Sequence, residues 1–413
     1  MTIAQDDLNL NPAEIEAALL TLGAIGAHSQ TGVWRRVYEP DWVAAQDLLQ
    51  SWMVASGLVA RLDAVGNLWG RIDGRDGGSA VVSGSHIDSQ CPGGRYDGAL
   101  GVLAALFAVK ALVATYGPPR SPVEVLSLCE EEGSRFPKAG FWGSRAITGR
   151  IAPGDADLVQ DEAGVGIADA MRAVGLDPLR IEDARRDDLA AFVELHIEQG
   201  PVLQDAGLPV AVVTAITGIR HTQITLTGEA NHAGAFPMDL RRDPMAGFAE
   251  LTDRLIGHAH RLGRPAVTTI GRIAVQPNAP AIIPREVRFT LDARHPGPDD
   301  YAALHRTHAA MLTEVAARRG LTLQTEVQFD LPPTVCAPAI VAALRSAAAD
   351  VPHMLMASGA GHDSQQMAAV CPVGMIFVRS KDGRSHTPEE YSSLDDIMLG
   401  IRVLAGALYR LAW

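Results

Sequence analysis

Apolar positions in this chain come in two textures, and the change between them marks a domain boundary. Over residues 1–212, and again over 331–413, they gather into short unbroken runs separated by helical patterns. Residues 80–82, 122–128, 190–195 and 373–378 are runs of the kind that a strand buried on both faces produces. Residues 65–72 are a further β-rich stretch, while 41–56 and 101–116 carry apolar positions at helical spacing. The last of these is apolar nearly all round, as a buried helix is. Such βαβ-like alternation predicts an α/β fold whose central sheet is mostly parallel and flanked by helices. Ligands of such sheets bind where loops leave the carboxyl ends of the strands.

Residues 213–330 read differently. Positions 221–227 alternate as a strand, 244–262 are helical, and 266–275 form a strand. Residues 286–294 alternate cleanly, with Val287, Phe289 and Leu291 on one side, before a helical stretch at 299–319 and a strand at 321–329. The order β-α-β-β-α-β is that of a split βαβ, ferredoxin-like domain. It is complete in itself, so it is expected as an insertion, with 1–212 and 331–413 forming the main domain around it.

Composition narrows the partners. A formal net charge of -13 repels phosphates, which argues against nucleic acid and anionic membranes. The apolar run 102–116 contains Lys110 and is too short to span a bilayer. The acidic start of the chain lacks the layout of a signal peptide, and Cys91, Cys129, Cys336 and Cys371 show no CxxC spacing. Reduced thiols in a cytoplasmic protein are the expectation.

Candidate chemistry sits at the ends of the predicted strands. His86 lies in SGSHIDS, Asp97 in GGRYDG, Glu131 and Glu132 in CEEEGSRF, His196 in ELHIEQG, and His386 in GRSHTPEE. Alone, a histidine of this kind is an ordinary surface residue, and three consecutive glutamates are an ordinary solvated turn. Sharing one class of position, they point to a two-metal hydrolytic centre. Asp97, in a glycine-rich turn, suits a carboxylate that bridges two ions. Asp88, two residues beyond His86, is placed to accept the second N–H of that imidazole. Adjacent residues at a strand end point in different directions. Glu132 is therefore read as a ligand and Glu131 as the general base, whose lone pairs must stay free of metal.

Taken in order, GSHIDS, GGRYDGALGVLAAL, EEEGSRF, ELHIEQGPVL, GEANHAGAFPM, SGAGHDS and SHTPEE resemble one family. It is the hydantoinase/carbamoylase branch of the dinuclear M20-type amidohydrolases, which contains N-carbamoyl-L-amino acid hydrolases and allantoate amidohydrolases. The resemblance implies His86, Asp97 and His196 around one metal and Asp97, Glu132 and His386 around the other. Two divalent ions per subunit follow, Zn²⁺ first, with Mn²⁺, Co²⁺ or Ni²⁺ as substitutes. It also implies that the inserted domain forms a homodimer and carries His232, which polarises the scissile carbonyl once the domains close. Arg294 matches the arginine that takes the substrate carboxylate, and Gln199 and Arg220 match pocket positions. One departure stands out: Ala281 occupies the place, thirteen residues ahead of Arg294, where the family favours asparagine. Losing that amide costs roughly 1–3 kcal/mol for the matching ligand. Either the substrate differs around its carboxylate, or Asn278 supplies the amide. Ala235 and Phe236 also replace two threonines favoured after His-Ala-Gly.

The expected activity is metal-dependent hydrolysis of a linear C–N bond in a small carboxylate substrate, foremost an N-carbamoyl-L-amino acid. Allantoate or another ureido acid, an N-acyl amino acid or dipeptide, and a catalytically silent binding dimer are the alternatives.

Overall fold

Strands with two apolar faces must be covered on both, and the computed structural model, which describes residues 8–413, places them accordingly. The chain divides into two units. The first runs to Thr214 and resumes over Cys336–Met356 and His362–Trp413; the second comprises Ala215–Val335 with Ala357–Gly361.

The first unit belongs to a sheet containing β1 (Val59–Leu62), β2 (Leu68–Ile72), β3 (Ala80–His86), β4 (Val123–Leu128), β5 (Leu189–Ile197), β6 (Val210–Ile216) and β7 (Val373–Val378). These strands lie in the order β1-β2-β4-β3-β5-β7-β6. The inner four, β4-β3-β5-β7, pair in parallel, while β1, β2 and β6 are antiparallel to their neighbours. Strands β3, β4 and β7 are buried along their whole length. Gly84 shows how tightly they pack: a Cβ there would lie 1.9 Å from the Leu126 carbonyl oxygen. Three helices, α1 (Pro40–Ala55), α2 (Ala99–Tyr116) and α3 (Leu394–Ala412), cover the sheet, with α2 packed against β3 and α3. By length and composition α2 could cross a bilayer, but it is mostly buried in the core of this unit. Because the inner strands run the same way, their carboxyl ends share one edge, and His86, His196 and the loop after β4 emerge there.

In the second unit, strand Gly218–Thr227 lies between Glu286–His295 and Thr322–Leu331, antiparallel to both. Helices Pro244–Leu262 and Pro298–Arg318 cover one face, over a core that includes Ile224, Leu226, Leu255, Phe289 and Val315. The predicted strand at 266–275 is two strands, Val267–Thr269 and Ile273–Gln276, both paired with Glu286–His295. From Thr269↔Asp292 to Ile273↔Phe289 one chain advances four residues and its partner three, so a bulge at Ile270-Gly271-Arg272 divides them.

Three histidines meet between those helices. The His258 and His308 ring centroids are 5.4 Å apart, and His305 lies 6.5 Å from His308. Burial pushes His305 and His308 down to about 4. Both nitrogens of His308 lack a partner among the described residues. A histidine whose folded pKa is depressed leaves the unfolded chain holding more protons below about 6.5. Stability is therefore full above that value and falls as pH drops through about 4. In urea unfolding from pH 7 to pH 4, His308→Leu should flatten this loss, and a wild-type slope in the variant would contradict it.

Candidate metal centre

Two imidazoles are held by backbone carbonyls at the sheet's edge. His86 Nδ1 lies 3.0 Å from the Asp88 carbonyl oxygen, and His196 Nδ1 lies 3.0 Å from that of Ile197. With Nδ1–H donating to a carbonyl, each ring turns an Nε2 lone pair inward. Both Nε2 atoms face Asp97 Oδ1, at 3.5 Å from His86 and 3.2 Å from His196, and His196 Nε2 also accepts the Gly98 N–H at 3.1 Å. The other oxygen, Oδ2, faces His386 Nε2 at 3.5 Å, which is also 3.5 Å from Glu132 Oε2. Ligands about 2.0–2.1 Å from a tetrahedral ion sit about 3.3 Å apart, so these separations suit cations between the groups. Glu132 Oε1 is buried and has no partner among the described residues, as an oxygen reserved for a cation would be. Burial alone would raise Asp97, but His196 and His86, when protonated, outweigh it and hold the carboxyl well below its ordinary range.

Glu131 stands beside this group without belonging to both halves of it: Oε2 is 3.7 Å from His86 Nε2. Burial, reinforced by Glu132 and Asp363, pushes its carboxyl well above the ordinary range against the pull of His86. Such a group is suited to taking and returning a proton. Asp88 departs from expectation. Its carboxylate is 3.8 Å from His86 Nδ1, too far for a hydrogen bond, because its own carbonyl occupies that nitrogen. The carboxylate instead accepts the backbone N–H of Glu131 at 3.3 Å and of Glu132 at 3.1 Å. Asp88 thus anchors the turn that carries both glutamates.

Residues 82–410 match the model of peptidase family M20/M25/M40. The chain belongs to this family. An allantoate amidohydrolase of Escherichia coli is 40% identical over 97% of this chain and 98% of its own length. An N-carbamoyl-L-amino acid amidohydrolase of Geobacillus stearothermophilus is 40% identical over 95% and 97%. The crystal structure of an amidase of the hydantoinase/carbamoylase family from Burkholderia multivorans superimposes with a TM-score of 0.88 at 33% identity, covering 98% of each chain. M20 enzymes are metal-dependent, in keeping with the donor set here.

Several contacts around this cluster escaped the sequence. Glu390 accepts the backbone N–H groups of Tyr96 and Asp97, and Ser385 donates to Asp97 Oδ2 at 2.6 Å. Both lie in the segment that carries His386, which was the available signal. His362 packs its ring 4.7 Å from that of His196, and Glu194 accepts from the Ser85 and Ser364 hydroxyls at 2.7 Å each. Gln199, expected in the pocket, donates from Nε2 to Asp97 Oδ2 at 2.8 Å.

The remaining expected residues belong to the second unit. His232 Nδ1 accepts the N–H groups of Gly234 at 3.1 Å and Ala235 at 3.0 Å, so the ring proton sits on Nε2 and the exposed edge is a donor. His232 pairs with Ile282, next to Ala281. Asn278 is exposed in the same loop, with φ 57°. Arg294 spends its Nε–Nη2 edge on Asp292, at 3.0 and 2.7 Å, and Nη1 donates to the Gly359 carbonyl at 3.2 Å. Only the outer end of its guanidinium is left for a ligand. Arg220 is opposite Ala293 in the ladder, and Arg294 is opposite Ile219, so the two arginines point to opposite faces of the sheet. Arg220 lies on the helix side, paired with Asp330 at 2.7 Å and over the Tyr301 ring, and shares no face with Arg294.

Gly98, which precedes α2 with φ 64°, constrains the centre through its backbone: a Cβ would lie 2.4 Å from the His86 ring. Gly98→Ala should displace His86 and lower Zn²⁺ affinity at least about tenfold, as loss of ligand support does. Chelator competition giving wild-type affinity would refute that constraint.

Proposed function

We propose that this chain is a metal-dependent amidohydrolase cleaving a linear ureido or amide C–N bond, with an N-carbamoyl-L-amino acid as first candidate substrate. The observation that carries the reading is the division of one buried carboxylate, Asp97, between two groups of donors, with Glu131 beside them. His86, Asp97 and His196 would hold one divalent cation, and Asp97, Glu132 and His386 a second, Zn²⁺ foremost with Mn²⁺, Co²⁺ or Ni²⁺ as substitutes. When bound, such cations supply Lewis acidity, which lets water lose a proton near neutral pH and polarises a carbonyl.

The chain's own residues do the rest. Glu131 takes a proton from the attacking water as oxygen bonds to the carbonyl carbon, and returns it to the nitrogen as the C–N bond breaks. Asp88 keeps Glu131 and Glu132 at fixed angles by anchoring their backbone. His232, whose Nε2–H is the free donor, stabilises the carbonyl oxygen as it becomes negative. The outer donors of Arg294 take the substrate carboxylate. A carbamoyl substrate would yield the amino acid and carbamate, which decomposes to CO₂ and ammonia. Allantoate is the second reading, favoured by the equal similarity of the Escherichia coli relative. The second unit would also form the homodimer. Its strand Thr322–Leu331 is largely exposed, with Val327 and Phe329 uncovered, as a strand awaiting a partner is.

After Zn²⁺ or Mn²⁺ loading, ammonia should be released from N-carbamoyl-L-amino acids, allantoate or β-ureidopropionate, whereas N-acetyl amino acids should release no acetate. Turnover of the acetyl compounds alone would overturn the assigned bond class. Glu131→Gln should keep its metal content and lose at least about a hundredfold in kcat; normal turnover would remove Glu131 from the proton transfer. His232→Ala should likewise keep its metal and lose about 10²–10³ in kcat, and an unchanged rate would exclude it from the chemistry.

A further inference from the structure

The turn that carries Asp97 and the loop that carries His386 are joined by a carboxylate that enters neither group of metal donors. Glu390 Oε1 accepts the backbone N–H of Tyr96 and of Asp97, each at 2.9 Å. Its Oε2 lies 3.1 Å from Ser385 Oγ, whose hydroxyl is 2.6 Å from Asp97 Oδ2. The side chain is enclosed, with 4% of the residue exposed. Gly94 makes the room for it: a Cβ there would lie 2.2 Å from Glu390 Oε1. Two backbone bonds hold the Asp97 main chain, and the serine holds one of its oxygens. A carboxylate shared between two cations must be fixed in both respects, since a rotation about its side chain would serve one cation at the other's expense.

We propose that Glu390 is a positioning residue which, through the Tyr96 and Asp97 N–H groups and through Ser385, orients Asp97 so that the two cation sites form together. The proposal rests on the metal-dependent reading given above. It requires an acceptor at Oε1 and a partner for Ser385 at Oε2, and it does not require a negative charge. Glutamine satisfies both needs: its amide oxygen accepts the same two N–H groups, and its amide nitrogen donates to the serine oxygen.

Zn²⁺ affinity and stoichiometry, measured by competition with a chromophoric chelator, separate the possibilities in full-length wild type, Glu390→Gln, Glu390→Ala and Ser385→Ala. Glu390→Ala should bind Zn²⁺ about 10–100-fold more weakly, the range for loss of support behind a ligand, and should no longer fill both sites together. Glu390→Gln should stay close to wild type, and Ser385→Ala should weaken binding with its melting temperature little changed. Wild-type affinity in Glu390→Ala, or a Glu390→Gln variant as weak as Glu390→Ala, would overturn the proposal. Should Glu390→Ala fail to fold, the other two variants decide: weak binding in Glu390→Gln, or normal binding in Ser385→Ala, sinks it. A wild-type protein that binds no Zn²⁺ at Asp97 would instead remove the reading on which the proposal rests.

Discussion

Everything at the sheet's edge answers to one electrostatic constraint, the gathering of acidic groups in a space that water scarcely reaches. Asp88, Asp97, Glu390 and Asp363 are buried, and the Glu131 and Glu132 side chains are nearly so. Carboxylates removed from water repel one another and lose their hydration, so each resists ionising. The group shows this directly. Burial, with Glu194 next, pushes Asp363 up to about 8, and burial, with Asp97 next, pushes Glu390 up to about 8. Asp97 alone runs the other way, since two imidazoles, when protonated, outweigh its burial. Inward-facing lone pairs on His86 and His196 add nothing to neutralise this charge while the rings are neutral. Divalent cations satisfy carboxylates and neutral imidazoles together, which neither protons nor arginines do in this arrangement.

The fold supplies what such a centre needs from the backbone. Four parallel strands deliver their last residues to one edge, so donors from distant segments meet without long loops. His86 is the final residue of β3 and His196 the penultimate residue of β5, and both are held by main-chain carbonyls rather than by side chains. Main-chain carbonyls at or just beyond a strand end move little, which fixes the ring angle. Glycines then set the clearances. Without Gly98 the His86 ring has no room, and without Gly94 the Glu390 carboxylate cannot reach the Asp97 turn.

How much of this the sequence discloses depends on whether a residue acts through its own position or through another's backbone. His86, Asp97, Glu131, Glu132, His196 and His386 are legible because each has suitable chemistry just beyond an apolar run. Asp88 is visible as a residue yet not in its role. Its spacing from His86 suggests a side-chain contact, whereas the structure gives the imidazole a carbonyl and sends the carboxylate to two N–H groups of another loop. Glu390 is hidden for the same reason: its partners are peptide N–H groups almost three hundred residues earlier, and a Pro-Glu-Glu stretch looks like solvated surface. In the second unit the helices and long strands follow apolar periodicity closely, while the bulge at Ile270-Gly271-Arg272 leaves no periodic trace. The opposite facing of Arg220 and Arg294 depends on register, which residue type alone does not reveal.

The two units therefore differ in how freely their functional residues can vary. A change at Asp97, Gly98 or Glu390 disturbs several partners at once. Ala281 is different, because the contact it makes beside His232 is through its main chain: its carbonyl accepts the Ala233 N–H at 3.0 Å. The short ladder of Asn231-His232 with Ile282-Ile283 likewise uses backbone groups. A side chain can be exchanged at 281 without loss of those bonds, so the surroundings of His232 can be altered while its ring stays oriented by the Gly234 and Ala235 N–H groups. Exchange of the side chain at 281 accordingly leaves the main-chain geometry around His232 in place. Around Asp97, where two imidazoles, the Ser385 hydroxyl and the Gln199 amide all meet one side chain, there is little such freedom.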